Sequence, residues 1–173
     1  MRLAYAVIGL AAFGLARTAS GDEISVARVS FAPTFQGAID NDIGAGQGDA
    51  LRARVERAIG AALVRRGATM SANAPTTISV EIVDAVPNRV TIQHLRKNYL
   101  LDPGATVQLG GAELHAVLRS AGGQTLAEVE YSRYDREFAD LVGPPAMWTS
   151  ADRTIAQFAE RVADAYVAQN SAR

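Results

Sequence analysis

Two histidines, a closely spaced aspartate pair, a glycine-rich stretch and one basic segment are the places where this chain could carry chemistry. His94 and His115 fall in different elements, and neither has a His or acidic partner at the four-residue spacing of a helical metal pair. His115 shares the parity of Glu113 and Val117 and reads as a half-exposed structural histidine. Asp40-Asn41-Asp42 followed by Gly44 has the opening of a calcium loop. Counted from Asp40, however, the sixth position is Ala45 and the twelfth is Leu51, where such a loop needs Gly and Glu. Gly44-Ala45-Gly46-Gln47-Gly48 precedes a helix, but Asp49-Ala50 stand where a phosphate loop needs Lys and Ser or Thr. A dinucleotide fingerprint fails as well, because its third glycine would be Asp49.

The chain has no cysteine, which excludes a disulfide framework, a thiolate metal site, an iron–sulfur cluster and a Cys nucleophile. It contains no Gly-x-Ser-x-Gly elbow. These residues lead us to expect no catalytic, cofactor-binding or metal-binding set. What stands out is Arg89 to Asn98, with Arg89, Arg96 and Lys97 interleaved with apolar side chains and with Tyr99 beside them. Its plain reading is a solvated loop. Its sharper reading is a docking surface for an acidic or anionic partner, formed by Arg89, His94, Arg96, Lys97 and Tyr99. The whole chain balances 17 basic against 18 acidic residues, so it lacks the basic excess of a nucleic-acid binder.

The elements that must position these residues follow from periodicity. Leu51, Val55, Ile59, Ala62 and Leu63 make one apolar stripe at helical spacing, with Asp49 as the expected cap and Gly67 as the expected stop. Ile155, Phe158, Ala159, Val162 and Tyr166 make a second stripe, opened by a Thr149-to-Asp152 capping pattern. Trp148 sits just before it and reads as a lid on the core. Ile24 to Phe31 reads as a strand whose parity shifts between Val26 and Val29, the mark of a bulge. A short strand is expected within Ala68–Ser71. Thr77 to Val86 alternates with Ile78, Val80, Ile82 and Val86 on one face. Two runs, 105–119 and 124–134, flank Ala121-Gly122-Gly123 as a hairpin, with Leu114, Ala116 and Leu118 opposite Ala127, Val129 and Tyr131. Residues 32–48 read as a long Gly- and Asp-rich loop, and 138–147 as a second irregular stretch. Two helices with one greasy stripe each need a shared apolar surface. The expected fold is α+β, a two-layer sandwich with a mostly antiparallel sheet of four to five strands and both helices on one face.

Met1-Arg2 followed by the uncharged run Leu3 to Leu15 is too short at ~1.5 Å per residue to cross a ~30 Å hydrocarbon core. With Ala19 and Gly21 at the −3 and −1 positions it matches a secretory leader cut after Gly21. A cut after Ala16 is the second option, and an uncleaved anchor is the rival. The expected organisation is a signal peptide over 1–21 and one α+β domain over 22–173, with no transmembrane span in the mature chain. Arginine replaces lysine everywhere except at Lys97, a bias read as bacterial. The expected location is periplasmic or secreted, without a lipid tether because there is no lipobox Cys.

Ala85-Val-Pro-Asn-Arg89, Leu109-Gly-Gly-Ala-Glu-Leu114, Tyr131-Ser-Arg-Tyr134, Trp148-Thr-Ser-Ala-Asp152 and Phe158-Ala-Glu-Arg-Val-Ala163 resemble stretches of uncharacterised bacterial envelope proteins of the small secreted or lipoprotein kind. Those proteins are similar to the N-terminal domain of TolB and to CsgG-type α+β domains. The resemblance implies a small α+β fold and no catalytic residues. The expected function is that of a non-enzymatic envelope protein that binds a protein or envelope component. The alternatives are a periplasmic hydrolase with a site between the 40–48 and 89–99 segments, and a subunit of an export complex. Sequencing the N-terminus of the protein purified from its native host should read Asp22-Glu-Ile; Met1 intact on a cytoplasmic form contradicts the leader.

Overall fold

The computed structural model describes residues 23–98, 100, 102, 106–141 and 143–171. The leader expected over 1–21 and Tyr99 lie outside the described residues. Five strands, β1 Glu23–Phe31, β2 Thr69–Met70, β3 Thr76–Val86, β4 Gly111–Arg119 and β5 Thr125–Tyr134, form one open sheet in the order β2-β1-β3-β4-β5. The sheet is mixed. β1 runs parallel to both β2 and β3, whereas β3, β4 and β5 form the longer antiparallel ladders. Two long helices, α2 Ala45–Arg65 and α4 Thr149–Ser171, pack on the same sheet face, as the two stripes require. Two short helices, α1 Pro33–Ala38 and α3 Ile92–Lys97, lie beyond the ends of β1 and β3.

The stripes are the core. Leu51, Val55, Ile59, Ala62 and Leu63 are fully enclosed, and so are Phe158, Val162 and Ala163. Each large side chain of this kind contributes roughly 1.5–3 kcal/mol through the apolar surface it removes from water. Opposite them stand Ile78, Val80 and Ile82 of β3 and Leu114, Ala116 and Leu118 of β4. The hairpin register pairs Leu114 with Tyr131, Ala116 with Val129 and Leu118 with Ala127, as the parity predicts. β1 slips register between Val26 and Arg28, where the parity shift placed a bulge. Trp148 is buried in the core, and its indole N–H donates to Gln47 Oε1 at 2.9 Å.

Five expectations are corrected. Residues 32–48 are not a loop: α1, a π-helical turn Ile39–Ile43 and the first residues of α2 occupy them. Phe35, Ile39 and Ile43 recur every fourth residue and are all buried, so packing holds a helical path that the glycines made hard to see. Asp49 is not the cap of α2. The helix starts at Gly44, whose φ of 100° suits glycine, and Asp49 instead pairs with Arg52 at 2.8 Å. In β3 the register shifts between Ile82 and Asp84, so Ala85 turns inward and Val86 leaves the core face. Thr149 lies inside α4: its hydroxyl accepts from the Ala146 N–H at 2.8 Å, and Asp152 meets Arg54 across the helices at 2.8 Å. The hairpin's first strand also begins later than expected, at Gly111.

One buried polar cluster locks the layers together. Asn88, enclosed just past β3, donates through Nδ2 to Ser150 Oγ at 2.9 Å and to the Gln108 carbonyl at 3.2 Å. Its Oδ1 accepts from the Ser150 N–H at 2.8 Å, supplying a partner for one of the orphan donors at the start of α4. Ser150 Oγ in turn donates to Asp135 Oδ2, which also accepts from the Gly110 N–H at 3.3 Å. Gly110 has to be glycine here, since a Cβ would lie 2.7 Å from Asn88 Nδ2 and 2.8 Å from the Val86 carbonyl. Asn88, Gly110 and Ser150 come from the stretches 85–89, 109–114 and 148–152, and Asp135 directly follows a fourth, 131–134. Asn88→Ala should lower the unfolding free energy in urea by about 2–4 kcal/mol with an unchanged m-value, because several buried polar groups lose their partner together. Gly110→Ala should lower it by about 1–3 kcal/mol through overpacking. Losses below about 0.5 kcal/mol for both contradict the lock.

Candidate functional site

β1 and β3 are adjacent and parallel, yet β1 continues toward α2 and β2 while β3 continues toward β4 on its other side. Connections that part in this way leave a crevice at the carboxyl ends of the strands. The crevice here has a volume of about 370 Å³ and is lined by Ile43, Gln47, Arg89, Val90, Thr91, Ile92, Leu95 and Met147. Three segments distant in sequence build it: the π-helical turn with the start of α2, the 89–95 stretch and the residue before Trp148. Thr91 fixes α3, since its hydroxyl caps the His94 N–H at 3.2 Å and donates to the Asp42 carbonyl. Lys97 Nζ clamps the far end of α3 on Asp42 Oδ1 at 2.5 Å.

The expected partner-binding residues therefore do different things. Arg89 lines the crevice, but its Nε–H donates to the Pro145 carbonyl at 2.9 Å, so it tethers the segment that leads into α4. Lys97 is held by Asp42. His94 is half-buried on α3, and Arg96 is exposed beside it. The structure adds residues that the basic segment alone did not indicate: Ile43, Gln47 and Met147 form the opposite wall. Ile92 lines the crevice with 70% of its surface exposed, and Leu100, just after α3, is 78% exposed.

The two acidic candidates are also placed. Residues two apart in a helical turn do not face each other, and the π-helical turn separates Asp40 from Asp42 in that way. Asp40 accepts from Gln36 Nε2 at 2.8 Å, while Asp42 takes Lys97. The hydrogen bond from Lys97, ahead of its charge and that of His94, holds the Asp42 carboxyl below the usual carboxylate range. Among the described residues no group of three or more His, Asp or Glu side chains is arranged to hold a metal ion. His115 lies on the polar sheet face in a row with Glu81 and Glu130, with its Nε2 buried and unpartnered among the described residues. No described helix is long and apolar enough to cross a membrane.

No protein-family model matches the chain, and no curated protein sequence is similar to it. Several solved structures align with it at low identity. A PelC dodecamer from Paraburkholderia phytofirmans is 11% identical with a TM-score of 0.46, over 82% of this chain and 86% of that one. A Xanthomonas campestris protein of family model DUF330 is 12% identical with a TM-score of 0.47, over 89% of each chain. A hypothetical protein from Chlamydia trachomatis is 10% identical with a TM-score of 0.41, over 84% of this chain and 98% of that one. Likeness of this extent assigns no activity to the chain.

The Asp42–Lys97 clamp gives α3 a pH dependence. A carboxyl whose pKa is lowered by folding contributes stability above the ordinary carboxylate range and loses it as the pH falls through the lowered value. Amide protection factors of α3 should therefore fall on acidification below pH ~4. Asp42→Asn should show the lower protection already at neutral pH, with a flatter acid limb. Identical profiles for the two proteins contradict the clamp.

Proposed function

We propose that this chain is an exported, non-enzymatic module that binds a protein or envelope component through the crevice at the ends of β1 and β3, in cell-envelope assembly or maintenance. The observation that carries the reading is the apolar wall of that crevice, where Ile92 stands largely in solvent and Leu100 follows just beyond α3. Large apolar side chains held out on a short, clamped helix and rimmed by polar groups are the surface of a binding site rather than of a core. Arg96 supplies an exposed charge at the same place, which favours an acidic partner and gives the encounter a salt dependence. The leader read over 1–21 supports export, and the similarity of the chain's motifs to small envelope proteins supports the setting. A subunit role in an export complex uses the same surface and differs only in what occupies it.

The hydrolase reading has one point in its favour, since the 40–48 and 89–99 segments do meet at Asp42 and α3. Against it, both carboxylates are already engaged by neighbours, Asp40 by Gln36 and Asp42 by Lys97.

The test is co-purification of the tagged full chain from its native envelope, beside an Ile92→Glu/Arg96→Glu variant shown to melt at the same temperature. Ile92 and Arg96 are exposed, so the variant keeps the core intact. A partner retained by the parent should be reduced at least about tenfold on the variant and should weaken with salt. Equal retention on both removes the crevice as the surface. Turnover of a small substrate, lost in Asp40→Ala or Asp42→Ala, replaces binding with hydrolysis.

A further inference from the structure

The open sheet has two outer edges, and they are not alike. On one side β2 covers β1 at Glu23 and Ile24, and the register of β1 slips between Val26 and Arg28. A bulge of that kind blunts an edge against further pairing. β5, on the other side, lacks both protections. From residue 127 to 134 its register against β4 is continuous, with no Pro, Lys or bulge. Beyond that ladder, the backbone of 127–134 receives one hydrogen bond among the described residues, from the Thr154 hydroxyl to the Arg133 carbonyl at 3.1 Å. The outer side of β5 therefore presents a row of backbone N–H and C=O groups with no strand beside it.

The two faces of this edge ask for different side chains. On the helix face Ala127, Val129 and Tyr131 pair with Leu118, Ala116 and Leu114. Those three β4 residues are enclosed, whereas Ala127, Val129 and Tyr131 stay partly buried because no strand lies beyond them. On the other face Glu128 and Glu130 are exposed and make no hydrogen bond or ion pair among the described residues. The strands behind them add charge of the same sign. Glu130 stands beside His115 and then Glu81, and Ser132 stands beside Glu113 and then Asp84. Arg119, between Thr77 and Thr125, is the one cation on that face of β3, β4 and β5. Arg133 and Arg161 belong to the helix face, where Arg161 stacks on the Tyr131 ring at 4.5 Å. Burial, then the bond to Asp84 and the charges of Asp84 and Glu113, push the neighbouring Tyr134 hydroxyl above its ordinary range.

We infer that β5 takes a further strand from a partner, an extended segment whose side chains alternate between apolar and basic. Successive side chains of a paired strand fall on opposite faces. One set then extends the cover over Val129 and Tyr131, while the other meets Glu128 and Glu130. The backbone row supplies affinity and the alternation supplies specificity. A second copy of this chain does not fit. The two antiparallel registers nearest full overlap of 127–134 place Glu130 directly opposite or diagonal to its own counterpart. Like charges so placed are destabilising, so the edge rejects itself and selects a cationic strand. β4 separates this edge from β3, and the surface is independent of the crevice.

The test is a titration of the isotope-labelled full chain with the end-blocked peptide Thr-Val-Arg-Val-Arg-Val-Thr, to about 1 mM at constant ionic strength. One control peptide carries Glu for both Arg. The other has the same residues rearranged as Thr-Val-Val-Arg-Arg-Val-Thr, which removes the alternation. Saturable amide shifts along β5 are expected for the first peptide, with slower hydrogen exchange at alternate amides of 127–134. Both controls should bind at least about tenfold more weakly. Glu128→Gln/Glu130→Gln should lose at least about tenfold in affinity for the Arg peptide, and Glu128→Arg/Glu130→Arg should prefer the Glu peptide. Both side chains are exposed, so an unchanged melting temperature checks the fold. Equal binding of the rearranged peptide reduces the surface to charge alone and overturns the inference. No saturable binding, exchange protection confined to another element, or an unchanged preference in the charge-reversed variant overturns it too. Protection of the β5 amides without peptide, rising with protein concentration, makes the occupant a second copy and also overturns it.

Discussion

The buried amide of Asn88 is the interaction on which the arrangement of this fold rests. One side chain with both donor and acceptor functions joins the exit of β3, the start of α4, the approach to β4 and the end of β5. The apolar stripes set how strongly the helices hold the sheet, but greasy surfaces slide over one another with little preference for register. A buried amide left without partners is costly, so the cluster accepts only one docking of α4. Ion pairs reinforce the same alignment farther along: Arg54 meets Asp152, and Arg65 and Arg66 meet Glu160 and Asp164, so α2 and α4 run side by side in the same direction. These exposed pairs add little stability individually, and their effect is on alignment.

The crevice depends on that lock. The crevice takes Met147 and the Pro145 carbonyl from the segment just before α4, and the Asn88 N–H is tied to the Met147 carbonyl at 2.7 Å. At the end of β5 the same cluster draws Asp135 inward between exposed neighbours. The same polar cluster thus joins the layers and presents the surface groups.

How much could be read beforehand differs from element to element. The α2 and α4 stripes were legible because burial imposes a period of about 3.6 residues on any helix with one inward face. The hairpin register was legible because a two-residue period and a glycine turn leave few alternatives. The α1 and π-turn region was not, since Pro33 and the glycines at 37, 44, 46 and 48 suppress local propensity and only tertiary burial of Phe35, Ile39 and Ile43 restores a helix. The Asp49 and Thr149 caps were misplaced for a related reason. Both residues suit a cap, but Gly44 and the Trp148 anchor decide where each helix starts. Arg89, His94, Arg96 and Lys97 could be singled out because they are contiguous, whereas Ile43, Gln47 and Met147 join them only through the fold.

By itself, the sequence determined the inward face of each long element, the pairing of the hairpin and the lack of any thiol chemistry. These follow from side-chain periodicity and composition, which are properties of neighbouring residues. Tertiary structure decided which charges remain free. Arg89 and Lys97 look like open cations in the sequence yet are held by the Pro145 carbonyl and by Asp42. Whether a charge is satisfied depends on groups brought within about 3 Å from remote parts of the chain, and no local pattern records that distance.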